Sequence, residues 1–294
     1  MKRRDFVAAG AGGAYGMVAR GQAPPKDEFI CPMDRDVRAA GPGKCSRCGM
    51  KLVANLPDPE QYRLELRTIP RVPQPGRTTR FEFRFLDPGS GEAVSDFEIV
   101  HERIFHLFVL HEDLGWFAHE HPERLADGLF AWHGVLPREG AYRLVADAYP
   151  RGATPQFLMR TVFTGGAVDH PGVPVRLAAD QGVKHAANLD VELITEPAVP
   201  VAGQETLLFF RLRPVEKLEQ YLAAWGHMLI ASQDLVDVIH DHPLYAYPEA
   251  EDRPQVQFNV IFPRATAYRI WVQFQRDGVV NTVNFTVPVR RLGE

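Results

Sequence analysis

The chain has 294 residues, which exceeds one average domain and suggests about two folded units, each able to bury a core of its own. Its formal net charge of −4 argues against a nucleic-acid-binding protein, because neutralising phosphates requires a basic face. Hydrophobic residues make up 45% of the chain, with 24 glycines and 24 prolines, which is typical of a turn-rich globular protein and argues against disorder throughout.

Residues 1–23 are predicted to be a twin-arginine signal peptide. Arg3 and Arg4 precede Phe6, and a stretch rich in alanine and glycine follows to about Ala19. The segment 7–18 is too short and too rich in glycine to span a bilayer, which requires roughly 20 mostly apolar residues. We therefore expect an exported, periplasmic protein with no membrane span once the signal is removed; a basic N-terminal tail is the alternative.

A small module is predicted over residues 28–54, between two linkers that contain proline, and it holds all three cysteines. Two residues separate Cys45 from Cys48, and Gly49 follows, which is the spacing of a metal knuckle. This spacing lets both sulfurs face one ion, and glycine permits the backbone conformation of the turn. Cys31 supplies a third sulfur.

The donor atoms of this module favour a soft metal ion. Three cysteines leave a tetrahedral zinc site one ligand short, whereas Cu(I) and Ag(I) accept thiolates and thioethers at low coordination number. The predicted ligands of Cu(I) are Cys31, Met33, Cys45, Cys48 and Met50. Two alternatives stay open: a disulfide between Cys45 and Cys48, and a thioredoxin-like redox motif, which would need a βαβ context.

The segment from Phe29 to Leu52 resembles the short heavy-metal-binding domain found on copper and silver efflux proteins. The resemblance rests on Cys31-Pro32-Met33 and on Pro42-Gly43-Lys44-Cys45-Ser46-Arg47-Cys48-Gly49-Met50. It implies binding of soft metals in the cell envelope. The segment departs from the family pattern in two places. Asp34-Arg35 stands where His-Pro is usual, which removes an imidazole, and Ser46 replaces a common proline.

The rest of the chain contains an internal repeat, which predicts two homologous domains at 60–166 and 188–290. The segment 106–122 aligns without a gap with the segment 227–243, at an offset of 121 residues. Further along, the offset between Pro137-Arg138 and Pro263-Arg264 is 126, so one loop differs by five residues between the repeats. The repeat also resembles poorly characterised secreted bacterial proteins in which a His-x-His-Pro pattern follows a heavy-metal-binding domain.

Each repeat is predicted to be an Ig-like β-sandwich. Apolar and polar residues alternate at 80–85, 142–146, 257–262 and 268–274, which indicates strands with one buried face. Turn residues separate these runs, and no helical stripe is sustained over three turns. Asp277-Gly278 predicts a tight hairpin. The predicted fold class is therefore mainly β, with a small Cys-rich metal-binding module followed by two tandem Ig-like β-sandwich domains.

Six histidines fall at matched positions of the two repeats, and they form two trios: His106, His119 and His121, and His227, His240 and His242. In a hairpin, the last two members of each trio share one face, and the first joins them if it pairs opposite either one. Three imidazoles on one face would hold Cu(II) or Zn(II). The alternative is a structural role, in which the histidines bond backbone carbonyls near the His-Pro turns.

Other polar residues of the repeats are interpreted as structural. The histidines at 101, 111, 133, 170 and 185 have no partner in the repeat and are expected to be exposed or to pack. Asp113 and Asp234 are expected to form turns through their own backbone contacts.

These patterns predict a periplasmic copper-binding protein that sequesters metal, delivers it or confers resistance to it. Its partner, besides the metal ion, would be a metal efflux or acceptor protein. We expect no enzymatic activity, since no nucleophile, paired acid or cofactor loop accompanies the histidines. Two alternatives stay open: a metal-dependent enzyme built on one histidine trio, and a β-sandwich adaptor whose edges bind a partner.

Overall fold

A computed structural model describes residues 29–30, 37–47, 49, 51–54, 61–165 and 175–293. Strands, bridges and turns account for the ordered backbone of these ranges, and no helix occurs within them. The chain divides into two compact units, residues 1–59 and 60–294. The predicted signal peptide lies outside the described residues.

The first unit contains a small antiparallel sheet, which has the order β2-β1-β3 and consists of β1 (Phe29–Ile30), β2 (Arg38–Ala39) and β3 (Val53–Ala54). Cys45 and Leu52 are buried, and Phe29, Val37 and Ala39 pack against them. The cysteine is therefore part of the apolar centre of this module.

The second unit begins with a sandwich of two four-stranded antiparallel sheets. One sheet has the order β4-β5-β9-β8 and consists of β4 (Arg63–Ile69), β5 (Thr78–Leu86), β8 (Glu123–Arg124) and β9 (Phe130–Val135). The other has the order β11-β10-β6-β7 and consists of β6 (Phe105–His111), β7 (Phe117–Glu120), β10 (Ala141–Ala148) and β11 (Gln156–Phe163).

A second sandwich repeats this plan. One sheet has the order β12-β13-β14-β19-β18 and consists of β12 (Lys184–His185), β13 (Asp190–Glu196), β14 (Glu205–Arg213), β18 (Tyr245–Ala246) and β19 (Val256–Ile261). The other has the order β15-β20-β16-β17, with β21 also paired to β20; it consists of β15 (Leu218–Glu219), β16 (His227–Ser232), β17 (Val238–Asp241), β20 (Ala267–Arg276) and β21 (Val279–Pro288). The predicted fold class is confirmed.

Aromatic side chains fill the space between the sheets of each sandwich. In the first, Phe83 and Phe85 from β5 meet Phe105 from β6 edge to face, with ring centroids 5.3 and 5.2 Å apart. In the second, Phe210 meets Phe274 at 5.4 Å. All five rings are buried, and each such side chain stabilises the fold by roughly 1.5–3 kcal/mol.

A buried tyrosine closes the same corner in both sandwiches. The hydroxyl of Tyr142 donates to the carbonyl of Arg138 at 3.0 Å and accepts from the amide of the same residue at 2.9 Å. Tyr268 makes the same pair of bonds with Arg264, at 3.1 Å each. This arrangement is a tyrosine corner, which explains the Pro-Arg-x-x-x-Tyr match between the repeats.

The two aspartates predicted to form turns do so. Asp113 Oδ1 accepts the amide of Gly115 at 2.8 Å, and Asp234 Oδ1 accepts the amide of Val236 at 3.3 Å. Arg138 makes a two-pronged ion pair with Asp113, at 2.7 and 3.0 Å. The turn that ends β6 is thereby tied to the tyrosine corner.

The hairpin predicted at Asp277-Gly278 is also confirmed. It joins β20 to β21, with Arg276 paired to Val279, and its two residues have φ of 49° and 73°. Such a left-handed pair matches the twist of the flanking strands.

Four strands are buried on both faces, which the alternating pattern did not predict. All seven residues of β6 and all six of β16 are buried, as are consecutive residues in β10 and β20. Their outer faces form a third apolar cluster drawn from both repeats: Phe108, Leu110, Leu114, Val145, Leu229, Ala231 and Trp271. The corresponding sheets of the two sandwiches therefore pack face to face, and Phe117 stacks on Trp271 across the interface at 5.2 Å.

Candidate metal centre

The hairpin of the first repeat has the register that places its histidines on one face. Phe108 pairs with His119 and Leu107 with Glu120, so the same register brings His121 opposite His106. Since alternate residues share a face, His106, His119 and His121 lie together.

The second repeat has the matching register. Leu229 pairs with His240 and Met228 with Asp241, which brings His242 opposite His227. Met228 points the other way, into the core of the second sandwich, as its neighbouring position predicts.

Both sets of histidines lie on the outer faces that pack together, so they meet at the interface between the sandwiches. The ring centroid of His106 lies 6.2 Å from that of His227 and 5.8 Å from that of His240. His119 lies 5.8 Å from His227. The sequence pattern predicted a separate site in each repeat; the structure instead joins the two sets in one cluster.

The first group of donor atoms consists of ring nitrogens of His106, His119 and His121, all within 4.8 Å of one another. His106 Nε2 lies 3.0 Å from the carbonyl of Val100, which can only accept, so this nitrogen carries the proton. The other nitrogen of a neutral His106, Nδ1, therefore presents a lone pair.

His119 presents a lone pair to the same place. Its Nδ1 donates to Oε1 of Gln273 at 2.7 Å, and the amide nitrogen of Gln273 donates to Thr282 at 3.0 Å. With the Gln273 amide in this orientation, Nε2 of His119 presents a lone pair 3.1 Å from Nδ1 of His106. Two facing lone pairs repel, and a cation bound beside them would relieve the repulsion.

Buried nitrogens without hydrogen-bond partners occur at two further histidines. Among the side chains that the structure describes, His121 Nε2 and His240 Nε2 are buried in this way. A buried polar atom without a partner costs about 1–3 kcal/mol, so such atoms call for an explanation. Ligation of a metal ion provides one for His121, whose ring nitrogen belongs to a group of three donor atoms within 4.8 Å of one another.

The second group of donor atoms consists of His101, His227 and His242, again within 4.8 Å. Nε2 of His227 donates to the carbonyl of Tyr221 at 2.8 Å, and its Nδ1 lies 3.0 Å from Nε2 of His242. The ring of His101 stacks on that of His242, with centroids 3.7 Å apart. His101, from the first repeat, thus joins two histidines of the second.

The predicted trio of His227, His240 and His242 differs from this group. His240 stays close, with its ring 4.5 Å from that of His242, but His101 completes the set within 4.8 Å. Nδ1 of His240 donates to Oδ2 of Asp147 at 2.6 Å. The observed group differs from the predicted trio because the packing of the two sandwiches brings His101, from the first repeat, beside the second hairpin.

Sequence reasoning missed three residues of this site: His101, Asp147 and Gln273. His101 has no histidine partner in the repeat, because Leu222 occupies its position there. Asp147 pairs with His106 in its sheet, and Gln273 pairs with His227 in the equivalent way. Each of these two acceptors receives a hydrogen bond from a histidine of the other sandwich. The signal was present in the offset of 126, which aligns positions 147 and 273.

In metal sites, the outer ring nitrogen of a histidine ligand usually donates to a carboxylate, amide or carbonyl oxygen, which fixes the tautomer and orients the ring. His106, His119, His227 and His240 all have such a partner. The donors present therefore fit an ion that prefers imidazole, such as Cu(II) or Zn(II).

Burial keeps these imidazoles neutral. It lowers the pKa of His106 from 6.5 to about 4 and the pKa values of His121 and His227 to about 3. Burial is also the largest cause at two further histidines: the pKa of His242 falls to about 2, and that of His119 lies well below its ordinary value. Neighbouring imidazoles add to each of these shifts, whereas the hydrogen bond to the Val100 carbonyl partly opposes the shift of His106. Neutral imidazole is the form that binds metal.

A cleft of about 550 Å³ borders the first group, and its lining includes His121, Glu120, Glu102 and Arg103. Burial raises the pKa of Glu120. The cleft gives an ion or small molecule a route to His121 from solvent.

The cysteine module is described in part. Cys45 is buried, its Sγ accepts the amide of Arg47 at 3.4 Å, and its carbonyl accepts the amide of Gly49 at 2.9 Å. Gly49 has a φ of 76°, the left-handed conformation expected of a knuckle. The other predicted ligands, Cys31, Met33, Cys48 and Met50, lie outside the described residues.

Two family models match the chain. The model described as Domain of unknown function (DUF8832) matches residues 57–162 and again 184–291. The model described as Heavy metal binding domain matches residues 29–55. No curated protein matches the chain.

Several solved structures are similar. They include a two-domain fibronectin type III segment of chicken tenascin (8% identity, 78% of this chain and 99% of that chain, TM-score 0.23), the Escherichia coli adhesin FdeC (13%, 81% and 67%, 0.25) and fibronectin(III)-like modules of Clostridium thermocellum CbhA (10%, 78% and 95%, 0.22). Within the described part of the chain, no helix has the length and apolarity needed to cross a membrane.

Proposed function

The chain belongs to the family described as Domain of unknown function (DUF8832), and on this premise we propose that it is a periplasmic copper-binding protein that sequesters the metal, delivers it or confers resistance to it. The match of residues 29–55 to a heavy metal binding domain supports metal binding. Copper, periplasmic location and a role in delivery are the parts that we add.

One observation carries the proposal: Nδ1 of His106 and Nε2 of His119 face each other at 3.1 Å as lone pairs. A protein that used these histidines only for packing would place a donor against an acceptor, since a buried polar atom is stabilised by a partner. Two acceptors side by side, with their outer nitrogens bonded elsewhere, are what a metal ion requires.

The two kinds of site would suit two forms of copper. Thiolates and thioethers of Cys31, Cys45, Cys48, Met33 and Met50 would prefer Cu(I), whereas the imidazoles would prefer Cu(II) or Zn(II). A protein with both could take up copper in either oxidation state. This would suit a compartment in which copper changes oxidation state.

Delivery would need a partner that accepts the ion, and the resemblance of residues 29–52 to domains of copper and silver efflux proteins points to an efflux or acceptor protein. The cleft beside His121 would allow the ion to leave without unfolding of the interface. Arg3-Arg4 and the Ala- and Gly-rich stretch after them support export to the periplasm.

We propose that the protein is not an enzyme. A second candidate, a metal-dependent enzyme, is favoured by the same cleft, because it places the half-buried carboxyl of Glu120 beside His121. A catalytic metal needs an open coordination position, and a cleft of this size could admit a substrate there. Turnover of an oxidisable or hydrolysable substrate by metal-loaded protein, lost in His121→Ala, would favour this second reading.

Metal analysis of three full-length proteins tests the proposal: the natural chain, a variant with Cys31, Cys45 and Cys48 replaced by Ser, and a variant with His106 and His227 replaced by Leu. We expect the Ser variant to lose Cu(I) uptake under reducing conditions while it keeps Cu(II) and Zn(II). The Leu variant should show the reverse. Equal metal content in all three proteins would overturn the proposal.

Location is tested separately by cell fractionation. The natural chain should appear in the periplasm with a shortened N-terminus, and Arg3→Lys/Arg4→Lys should remain inside the cell at full length. Retention of the natural chain in the cytoplasm would overturn the periplasmic assignment.

A further inference from the structure

The two histidine groups lie side by side at the interface, related by the approximate two-fold symmetry of the repeats. The rings of His106 and His227, one from each group, are nearly parallel, with centroids 6.2 Å apart and planes inclined by 25°. Their outer nitrogens bond to equivalent carbonyls, those of Val100 and Tyr221. The two groups therefore belong to one arrangement.

Each half of this arrangement is completed by the opposite sandwich. Gln273 of the second sandwich accepts a hydrogen bond from His119, and Asp147 of the first accepts one from His240. His101, from the first sandwich, contributes a donor atom directly, because its ring nitrogen lies within 4.8 Å of those of His227 and His242.

The loop that carries His101 has the same backbone in both repeats. His101 and Glu102 have φ of 47° and 62°, and the equivalent residues Leu222 and Ala223 have φ of 49° and 56°. Non-glycine residues rarely adopt this strained conformation, so it must be held in place by its surroundings. The difference at this position is thus the side chain: imidazole in one repeat and an aliphatic group in the other.

We propose that the two groups form a single two-ion centre, and that His101 makes the second ion a bridge between the sandwiches. The first ion would bind to His106, His119 and His121, and the second to His101, His227 and His242. This inference rests on the proposed function, in that the histidines hold an imidazole-preferring ion, and it adds the number of ions, the ligand His101 and the coupling of the two domains.

The surroundings suit two cations at this spacing. Asp147 provides a buried negative charge one imidazole away, through His240. This carboxylate and the cations would stabilise each other in the interface.

The test uses the full-length chain with its three cysteines replaced by Ser, so that only the imidazole sites remain. Loading with Cu(II), removal of weakly bound ion by desalting and metal analysis should give two ions per chain. Paramagnetic resonance should show a spectrum altered by coupling between neighbouring Cu(II) ions.

In the same background, His101→Leu installs the residue that the second repeat carries in the same conformation, so folding should be retained. We expect one ion per chain and the spectrum of an isolated Cu(II). His133→Leu, at an exposed histidine, is the matched control and should keep two ions. His101→Asn, whose side chain tolerates positive φ, repeats the test should the Leu variant fail to fold.

Two results would overturn the inference: one ion per chain in the parent, or two ions retained with unchanged spectrum in His101→Leu. Neither result would overturn the proposed function, because metal would still be bound. A parent that binds no Cu(II) or Zn(II) at all would instead remove the imidazole site on which both proposals rest.

Discussion

The imidazole of His240, in the second sandwich, donates its Nδ1 proton to Asp147, in the first sandwich, at 2.6 Å. Both side chains are largely buried, at 5% and 9% exposure, so this contact is shielded from water. It fixes which nitrogen of His240 is protonated, and the other, Nε2, is buried with no partner among the described residues. A carboxylate thus orients a histidine from across a domain interface.

We predict that Asp147→Asn weakens metal binding at the histidine cluster, because it removes the carboxylate that holds His240 beside the ring of His242. The loss of affinity should not exceed the ~10- to 100-fold that follows removal of a carboxylate bonded directly to a ligating histidine. Titration of the Cys-free protein against a competing chelator would measure the change. Asp96→Asn is the control, since that carboxylate is exposed and pairs with Arg151 away from the cluster. Equal affinity in both variants would show that Asp147 does not tune the site.

The tyrosine corners make a prediction about stability. Tyr142→Phe removes the hydroxyl that both donates to and accepts from Arg138, which leaves a backbone amide without its partner. We expect the free energy of unfolding to fall by about 1–3 kcal/mol. Tyr268→Phe should lower the free energy of unfolding at least as far, because its one hydroxyl hydrogen is shared between Asp237 Oδ2 at 2.9 Å and the Arg264 carbonyl at 3.1 Å. Urea denaturation would measure both.

Tyr247→Phe provides the control for these two variants. Tyr247 is 54% exposed, so water can replace any bond that its hydroxyl makes. Its substitution should change the free energy of unfolding by less than about 0.5 kcal/mol. A similar loss in all three variants would contradict a special role for the corner.

The sequence predicts the strands and the hairpin at Asp277-Gly278 well, because alternation and turn chemistry are local. It leaves the register of the hairpin that carries His106 and His119 open, because β6 is buried on both faces and a strand without alternation does not specify one register. The repeat then predicts the second hairpin from the first. These features required no knowledge of how the two sandwiches meet.

The joining of the two histidine groups could not be predicted in this way. It depends on the packing of the outer faces of β6 and β16, and a fully buried strand has no alternation that shows which neighbour covers each face. His101 was missed because it lacks a histidine counterpart in the repeat, although symmetry across an interface requires none. A domain contact is non-local, and a pattern within one repeat carries no information about it.

The hairpin between β20 and β21 provides a test of backbone conformation. Gly278 has a φ of 73° and open space around it, so Gly278→Ala adds strain without a clash. We expect a loss of about 1–2 kcal/mol in the free energy of unfolding. Gly182→Ala is the matched control, because Gly182 also has open space but no positive φ. Equal stability of the two variants would contradict the assigned turn.

The buried histidines predict how the metal-free protein responds to acid. The pKa values of His106, His121, His227 and His242 fall from 6.5 to between about 4 and about 2 on folding. Below pH 6.5 the unfolded chain therefore binds more protons than the folded one, and the free energy of unfolding decreases as the pH falls toward 4. Each group contributes up to about 1.4 kcal/mol per pH unit in this window.

Among the described residues, the acidic groups do not produce the same trend between pH 6.5 and 4.5. Asp87 and Asp113 have a pKa below their ordinary 3.8, so the stability that they contribute is lost only at lower pH. Glu120 and Asp241 have a raised pKa and act in the opposite direction. The decrease in stability over this window thus belongs to the histidines.

Urea midpoints of the metal-free, Cys-free chain at pH 7.5, 6.5, 5.5 and 4.5 would measure this response. We expect the urea midpoint to change little between pH 7.5 and pH 6.5 and to fall steeply below pH 6.5. The urea midpoint of a variant with His227 and His242 replaced by Leu should fall less steeply, because two groups that must stay neutral are gone. Leucine suits the apolar interface. Parallel curves for the two proteins would mean that these imidazoles are not held neutral by burial, and that the interface is wetter than its packing implies.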